Sequence, residues 1–272
     1  MRTLLSRRPL LLAGIVLTAA LSMVALLSLF WTPLPPAKMQ IAARLKAPME
    51  HGLLGTDQFG RDMVSMLMGG AWNSLSTAVA AVAIGASLGT LIGLAVATRS
   101  GWVSSAVMRG CDIIFAIPPI LSAMMLAAFI GAGRFTAIIA IAVFMIPVFA
   151  RLALAAAMQI WTLPYVRAAI GMGRANWKIT LVHVLPNIAG LIIVQVTIQL
   201  GLAILTEAGL GFLGLGMAPP APSWGRMLAD AQTYLGQAPW LALLPGLAIF
   251  LSVLGFSLLG DGLRDHLDRR SR

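Results

Sequence analysis

Few residues in this chain are of a kind that does chemistry, and their spacing limits what they can do. Asp57 and Asp62 stand five apart in "GTDQFGRD", but a calcium loop needs alternating oxygen ligands and a closing Glu, which are missing. Thr56 or Asp57 is expected instead to N-cap a helix. Gly209, Gly211 and Gly214 spell G-x-G-x-x-G, a dinucleotide fingerprint that works only between a β-strand and a helix N-terminus. Here it follows a long apolar run, and we read it as flexible backbone at an external mouth. His51, His183 and His266 lie in separate segments and make no evident metal site. Cys111, the single cysteine, can form no intrachain disulfide. There is no Walker A sequence and no H-E-x-x-H, and the centres of the apolar runs lack acidic residues for a proton or sodium relay. Any work must therefore come from a partner, or the chain is a passive pore; a pore-lining polar ring or filter motif is not evident. Two charged features remain: Glu207, at the outer end of an apolar run, and the cationic stretch "PYVRAAIGMGRANWKITLVHVLPN", Pro164 to Asn187.

The elements that position these residues are membrane helices. Of 272 residues 59% are hydrophobic and 10% charged, with mean hydropathy +0.92, far from the composition of a soluble domain. Apolar runs of about 20 residues cross a hydrocarbon core of roughly 30 Å. Six are predicted: Leu10 to Trp31, Leu75 to Thr98, Ile113 to Gly133, Thr136 to Met158, Ile188 to Glu207 and Leu241 to Gly260. The first, behind Arg2, Arg7 and Arg8, resembles a signal peptide in charge but exceeds one in length, and is read as an uncleaved span. With the N-terminus in the cytoplasm, most of the 19 basic residues fall on the inner side, as the positive-inside bias requires. The net charge of +10 is then a matter of topology and implies no nucleic acid.

The organisation that follows is all-α. Residues 1-73 hold the first span and an external segment; 74-260 hold a five-helix core with a cytoplasmic loop at 159-187 and an external segment at 208-240; 261-272 form a cytoplasmic tail. Gly85, Gly89 and Gly93, four apart in the second span, make a ridge without side chains for close helix packing. Pro118 and Pro119 in "FAIPPILS" are expected to kink the third span, and Pro147 the fourth; such breaks hint at a translocation path. A short interfacial helix is expected from Arg226 to Tyr234, with Trp224, Tyr234 and Trp240 at headgroup depth. Glu207 reads either as an interfacial carboxylate, hydrated or hydrogen-bonded near the flexible glycines, or as a lining residue of the outer gate.

The cationic stretch cannot cross the bilayer. Arg167, Arg174 and Lys178 would each cost about 2.5–3.5 kcal/mol near a helix centre, whereas Leu, Ile or Val each return only about 0.3–0.6. Thr162 can N-cap a helix that Pro164 starts and whose surface includes Ala168 and Ala169; Gly173 can turn the chain with φ > 0. A second helix, Asn176 to Val184, is expected to end before Pro186. This hairpin is either an amphipathic surface anchor in the lipid interface or a docking knob whose small residues let a partner close on the backbone.

The same stretch resembles the cytoplasmic signature of bacterial ABC importer permeases: E-A-A, three residues, Gly, nine residues, then I-x-L-P. Ala168, Ala169, Gly173, Leu185 and Pro186 stand at matching places, while Arg167 replaces the acid and His183 the isoleucine. "LGTDQFGRDMVSMLMGGAWNSL", "FAIPPILS", "EAGLGFLGLGMAPPAPSWGRML" and "APWLALLPGLAIFLSVLGFSLLGDGLRDHLD" are similar, in order, to the second permease of dipeptide, oligopeptide and nickel importers. The resemblance implies the type I importer permease fold in a bacterial inner membrane, and a non-enzymatic subunit without cofactor of its own. It implies as partners a second related permease, two cytoplasmic ATPase subunits that hold the ATP, and an external solute-binding protein. Tyr165 to Gly173 would seat in an ATPase, and Pro118, Pro119 and Glu207 would belong to the path or gate. Short peptides are the expected cargo and nickel or its chelates the alternative.

Overall fold

The computed structural model of the chain describes residues 9–99 and 101–268. The basic N-terminal flank and the last residues of the 261-272 tail lie outside the described residues. Helices α1 (Pro9–Leu27), α2 (Met63–Ala97), α3 (Trp102–Ala116), α4 (Pro119–Ile130), α5 (Arg134–Trp161), α6 (Pro164–Gly171), α7 (Asn176–Ile179), α8 (Leu185–Phe212), α9 (Trp224–Ala231) and α10 (Trp240–Asp268) follow in order. Among the described residues there is no strand, only an isolated bridge between Thr56 and Asp62.

Five continuous helical stretches are long and apolar enough to cross a membrane: α1, α2, α5, the run Asn176–Phe212, and α10. The predicted third span is not one helix. It starts eleven residues earlier, at Trp102, and is divided into α3 and α4 with an 88° bend between them. The cause is the one the sequence offers: Pro118 and Pro119 supply no N–H, and Ile117, before the pair, is driven into extended backbone with ψ 122. The glycine ridge shows why the two halves together still make one crossing. A Cβ on Gly85 would strike Met145, one on Gly89 would come 2.7 Å from Phe149 Cβ, and one on Gly93 2.8 Å from Ala153 Cβ. Rising numbers on α2 thus match rising numbers on α5, so the two run parallel. Residues between them must carry the chain back once, and among the described residues α3 and α4 are the helices there.

Spans pack by glycine elsewhere too. A Cβ on Gly14 of α1 would strike the α10 backbone at Leu258 and Leu259, and Gly255 and Gly262 of α10 face Thr18 and Leu11 in return. The outward faces carry Leu, Ile, Val and Phe side chains in the open, as a lipid-facing surface requires.

The helix expected after Thr56 or Asp57 starts later, at Met63, with Asp62 as its cap: Ser65 N donates to Asp62 Oδ2 at 2.8 Å. α2 therefore runs unbroken across position 73/74. Thr56 is occupied otherwise, its hydroxyl donating to Ala43 O and accepting from Lys46 N. Asp57 forms a buried ion pair with Arg61 (Nε to Oδ2, 2.5 Å) and also accepts from the Phe59 and Arg61 amides at 2.9 and 2.8 Å.

The helix after the fifth span differs from a surface helix. α9 begins two residues earlier than expected, capped by Ser223, whose hydroxyl accepts from Arg226 N at 3.3 Å. Trp224 is 1% exposed and packs inside the protein, where it cannot meet headgroups: its indole Nε1 donates to Leu67 O at 3.2 Å and its amide to Ser74 Oγ at 3.3 Å. Gly70 of α2 makes the space for that ring, and Gly225 lets α9 rest on the Ala208 backbone of α8.

Candidate functional site

The hairpin grows out of the end of α5. Thr162 does not N-cap α6; it closes α5, donating from Oγ1 to Gln159 O at 2.7 Å. Leu163 takes the N-cap place with extended backbone, the conformation a following proline imposes, and Pro164 opens the helix. Val166 and Ala169, three apart and on one face, are buried with Ile179 against Ile160 and Trp161. Ala169 is thus a spacer beneath the helix and not part of its surface. Tyr165, Arg167 and Ala168 are exposed, as is Gly173.

Gly173, at φ +76, ends α6 in a Schellman turn: its N–H donates to Ile170 O at 2.9 Å and Arg174 N to Ala169 O at 3.2 Å. Nothing lies within 4 Å of a Cβ built on it. The glycine is there for its backbone angle, and the space above it is open.

The return limb does not stop before Pro186. α7 passes through a π turn, Thr180–Val184, straight into α8, and Pro186 stands in the first turn of α8. The Leu185 N–H reaches back five residues to Thr180 O, which widens the turn where an α-helix would lose the Pro186 bond and crowd its ring against Val182. Asn187 Nδ2 donates to His183 O at 2.6 Å and to Tyr165 Oη at 3.3 Å, while the Tyr165 and His183 rings meet edge to face at 5.9 Å. Leu185 is half-buried and Pro186 exposed. The structure therefore brings Tyr165 to the base of α8 and leaves Arg167, Ala168 and Gly173 outward. The Tyr165–Asn187 link crosses a gap of 22 residues and has no signal in local spacing.

The other expected residues lie apart from the hairpin. Pro118 N-caps α4 at the bend. Glu207 is 2% exposed within α8, which fits the hydrogen-bonded form of the expected carboxylate and not the hydrated one; α8 continues past it to Phe212, and the expected flexible glycines Gly209 and Gly211 are helical. Ser74 hydrogen-bonds its carboxyl group and Arg134 acts on it electrostatically. Among the described residues Oε2 has no hydrogen-bond partner.

One pair escaped notice in the sequence. Asp112 is not in a loop: it sits ten residues into α3 and pairs with Arg151 of α5, both about half exposed. The Arg151 guanidinium also covers the Phe115 ring at 4.8 Å. The predicted start of the third span at Ile113 hid it by a single residue.

Among the described residues no three His, Cys, Asp or Glu side chains gather as a metal site. His51 Nε2 lies 3.2 Å from Gln40 Oε1, and His183 is committed to the Tyr165 contact.

Comparison with known proteins agrees with this architecture. The profile of the binding-protein-dependent transport system inner membrane component matches residues 89–272. The glutathione transport system permease protein GsiD of Pectobacterium atrosepticum is 42% identical over 82% of this chain and 74% of its own. GsiD of Escherichia coli is 45% identical over 79% and 71%. The dipeptide transport system permease protein DppC of Alkalihalophilus pseudofirmus is 37% identical over 98% and 88%. An inward-facing structure of the MetNI methionine ABC transporter superposes with TM-score 0.62 over 73% of this chain and 94% of the matched one, at 22% identity, which establishes the fold. None of these relatives gives support to nickel. From the profile match and the near full-length likeness to DppC, the chain belongs to the inner membrane components of binding-protein-dependent transport systems, the non-enzymatic permease subunits of ABC importers.

Proposed function

We propose that this permease carries short peptides across the bacterial inner membrane, with both termini and the Pro164 to Asn187 hairpin on the cytoplasmic side. The carrying observation is the likeness over 98% of the chain to a dipeptide permease, joined by the glutathione permeases; dipeptides and glutathione share a short peptide backbone with free charged ends. In this reading residues 74-260 are the permease core, 159-187 the coupling loop and 208-240 the external segment. The partners are a second related permease, two cytoplasmic ATPase subunits that bind the ATP, and an external solute-binding protein.

The hairpin geometry supports docking over a purely lipid-anchoring role. Arg167, Ala168 and Gly173 stand outward on a helix whose other face is fastened to α5 by Val166 and Ala169, and Tyr165 and Asn187 link that helix to α8. A load on Tyr165, Arg167, Ala168 or Gly173 passes through Ala169, Leu185 and Pro186 into two spans. Arg167, where an acid is expected, calls for an acidic residue on the ATPase. Pro118, Pro119 and Glu207 belong to the path: the first two break its wall and the third lies beside the external helix.

The test is uptake of a labelled dipeptide by the assembled transporter, together with co-purification of the ATPase. Gly173→Trp or Ala168→Arg abolishes uptake and releases the ATPase; retained ATPase with normal uptake sinks the docking role. A transporter that moves nickel and no peptide sinks the substrate class.

A further inference from the structure

We propose that Asp112 and Arg151 form a charged station on the wall of the translocation path, where Arg151 engages the carboxylate end of a peptide and Asp112 its ammonium end. The inference rests on the peptide reading above and adds the residues that meet the cargo.

Placement comes first. Both lie within helices that make crossings: Asp112 is ten residues from the start of α3 and Arg151 ten from the end of α5. Charged side chains in such helices face a bundle interior or a watery cavity. These two are not interior: their side chains are 58% and 48% exposed. The surface they share is open in the single chain, and we assign it to water, because lipid would leave two charges unsolvated.

Two further observations trace the water. Ser105, Arg109 and Asp112, spaced four and three apart, form one exposed polar stripe along α3. Ser105 also lines a cleft with Thr98, Arg99, Ser104, Leu154 and Met158 at the end of the bundle that bears the hairpin. Ser105 belongs to both cleft and stripe and Asp112 to both stripe and ion pair, so the three adjoin along α3. Five residues beyond Asp112 the chain breaks at Ile117 and Pro118, and a broken backbone at membrane depth is tolerated where it borders such a cavity.

The chemistry of the pair fits a zwitterion. Arg151 offers a fork of donors that matches a carboxylate, and Asp112 accepts from an ammonium. Unloaded, each neutralises the other; loaded, the peptide's two ends replace the mutual contact. Phe115, under Arg151 and edge-on to Phe144 at 5.5 Å, keeps the guanidinium from swinging away.

The experiment uses the complete transporter in proteoliposomes, its binding protein saturated with labelled trialanine or with trialanine amide, which lacks the carboxylate. The wild type takes up trialanine at least tenfold faster than the amide; Arg151→Gln lowers trialanine uptake about tenfold and brings the two rates together. The exchange Asp112→Arg with Arg151→Asp restores the pair but not uptake, because the station is reversed. Full recovery in that exchange, with the preference for trialanine intact in Arg151→Gln, overturns the proposal and leaves the pair a strut between α3 and α5. No uptake of either probe by the wild type overturns the peptide reading and this inference with it. Independently of whether the charge variants assemble, Ala155→Cys in a Cys111→Ser background reacts with a charged, membrane-impermeant thiol reagent and is protected by trialanine. Absence of reaction in a transporting variant overturns the wet surface.

Discussion

Asn187 Nδ2 donates to the Tyr165 hydroxyl across 3.3 Å, and through that bond the first helix of the hairpin is fastened to the first turn of α8. Tyr165 is therefore a coupling residue by its attachment as much as by its exposure. Tyr165→Phe removes a bond worth about 0.5–1.5 kcal/mol while the ring stays against His183. The expected outcome is an ATPase that still co-purifies but moves several-fold less substrate per ATP hydrolysed. The ratio of uptake to hydrolysis in proteoliposomes measures it, and an unchanged ratio removes the bond from the coupling path.

The external segment carries two ion pairs of very different weight. Arg61 and Asp57 are buried and in contact, so Arg61→Met strands a carboxylate and costs about 3–5 kcal/mol. Lys46 and Glu50 are exposed and 3.9 Å apart, and such a pair is worth about 0–1 kcal/mol. Thermal unfolding of the solubilised complex is expected to fall clearly for Arg61→Met and not for Glu50→Gln.

Gly225→Ala places a methyl group against the Ala208 backbone, 2.7 Å from its Cα, where neither helix can yield by rotating a side chain. It is expected to push α9 off α8 and to lower uptake strongly. Gly209→Ala meets nothing within 4 Å and is expected to be silent, or to add about 0.5–1 kcal/mol of helix stability. Uptake and melting of the two variants, compared side by side, check the contact.

Glu207→Gln keeps the side-chain volume and removes a charge from a site where Oε2 has no partner among the described residues. The variant is expected to assemble with unchanged or higher melting temperature and to transport several-fold more slowly. Unchanged uptake would take Glu207 out of the gate.

The spans were legible because hydropathy over twenty residues is a bulk property, indifferent to partners. The break at Pro118 and Pro119 was legible because proline acts through its own backbone, and Gly173 because a left-handed turn needs that residue. Capping is not legible in the sequence: Thr56, Asp57 and Asp62 are all chemically able to cap α2, as Thr162 is to cap α6, and only tertiary contacts decide which does. Trp224 was placed at the interface on the strength of its type, yet Gly70 opens a slot for it in the core 154 positions away. The π turn before α8 was missed because Pro186 reads as a stop when a five-residue hydrogen bond, invisible in sequence, lets the helix pass.

That uninterrupted passage has a mechanical meaning. Asn176 to Phe212 is one helical run of 37 residues, about 55 Å long, rooted in the hairpin at one end and bearing the α9 packing at the other. Pivoted near its foot, such a rod sweeps its far tip by about 1 Å for every degree of tilt. A nudge of a few degrees at Tyr165 and Asn187 thus reaches Glu207 and Gly225 as a displacement as wide as a water molecule, with unbroken α-helix from Leu185 to Phe212 to carry it.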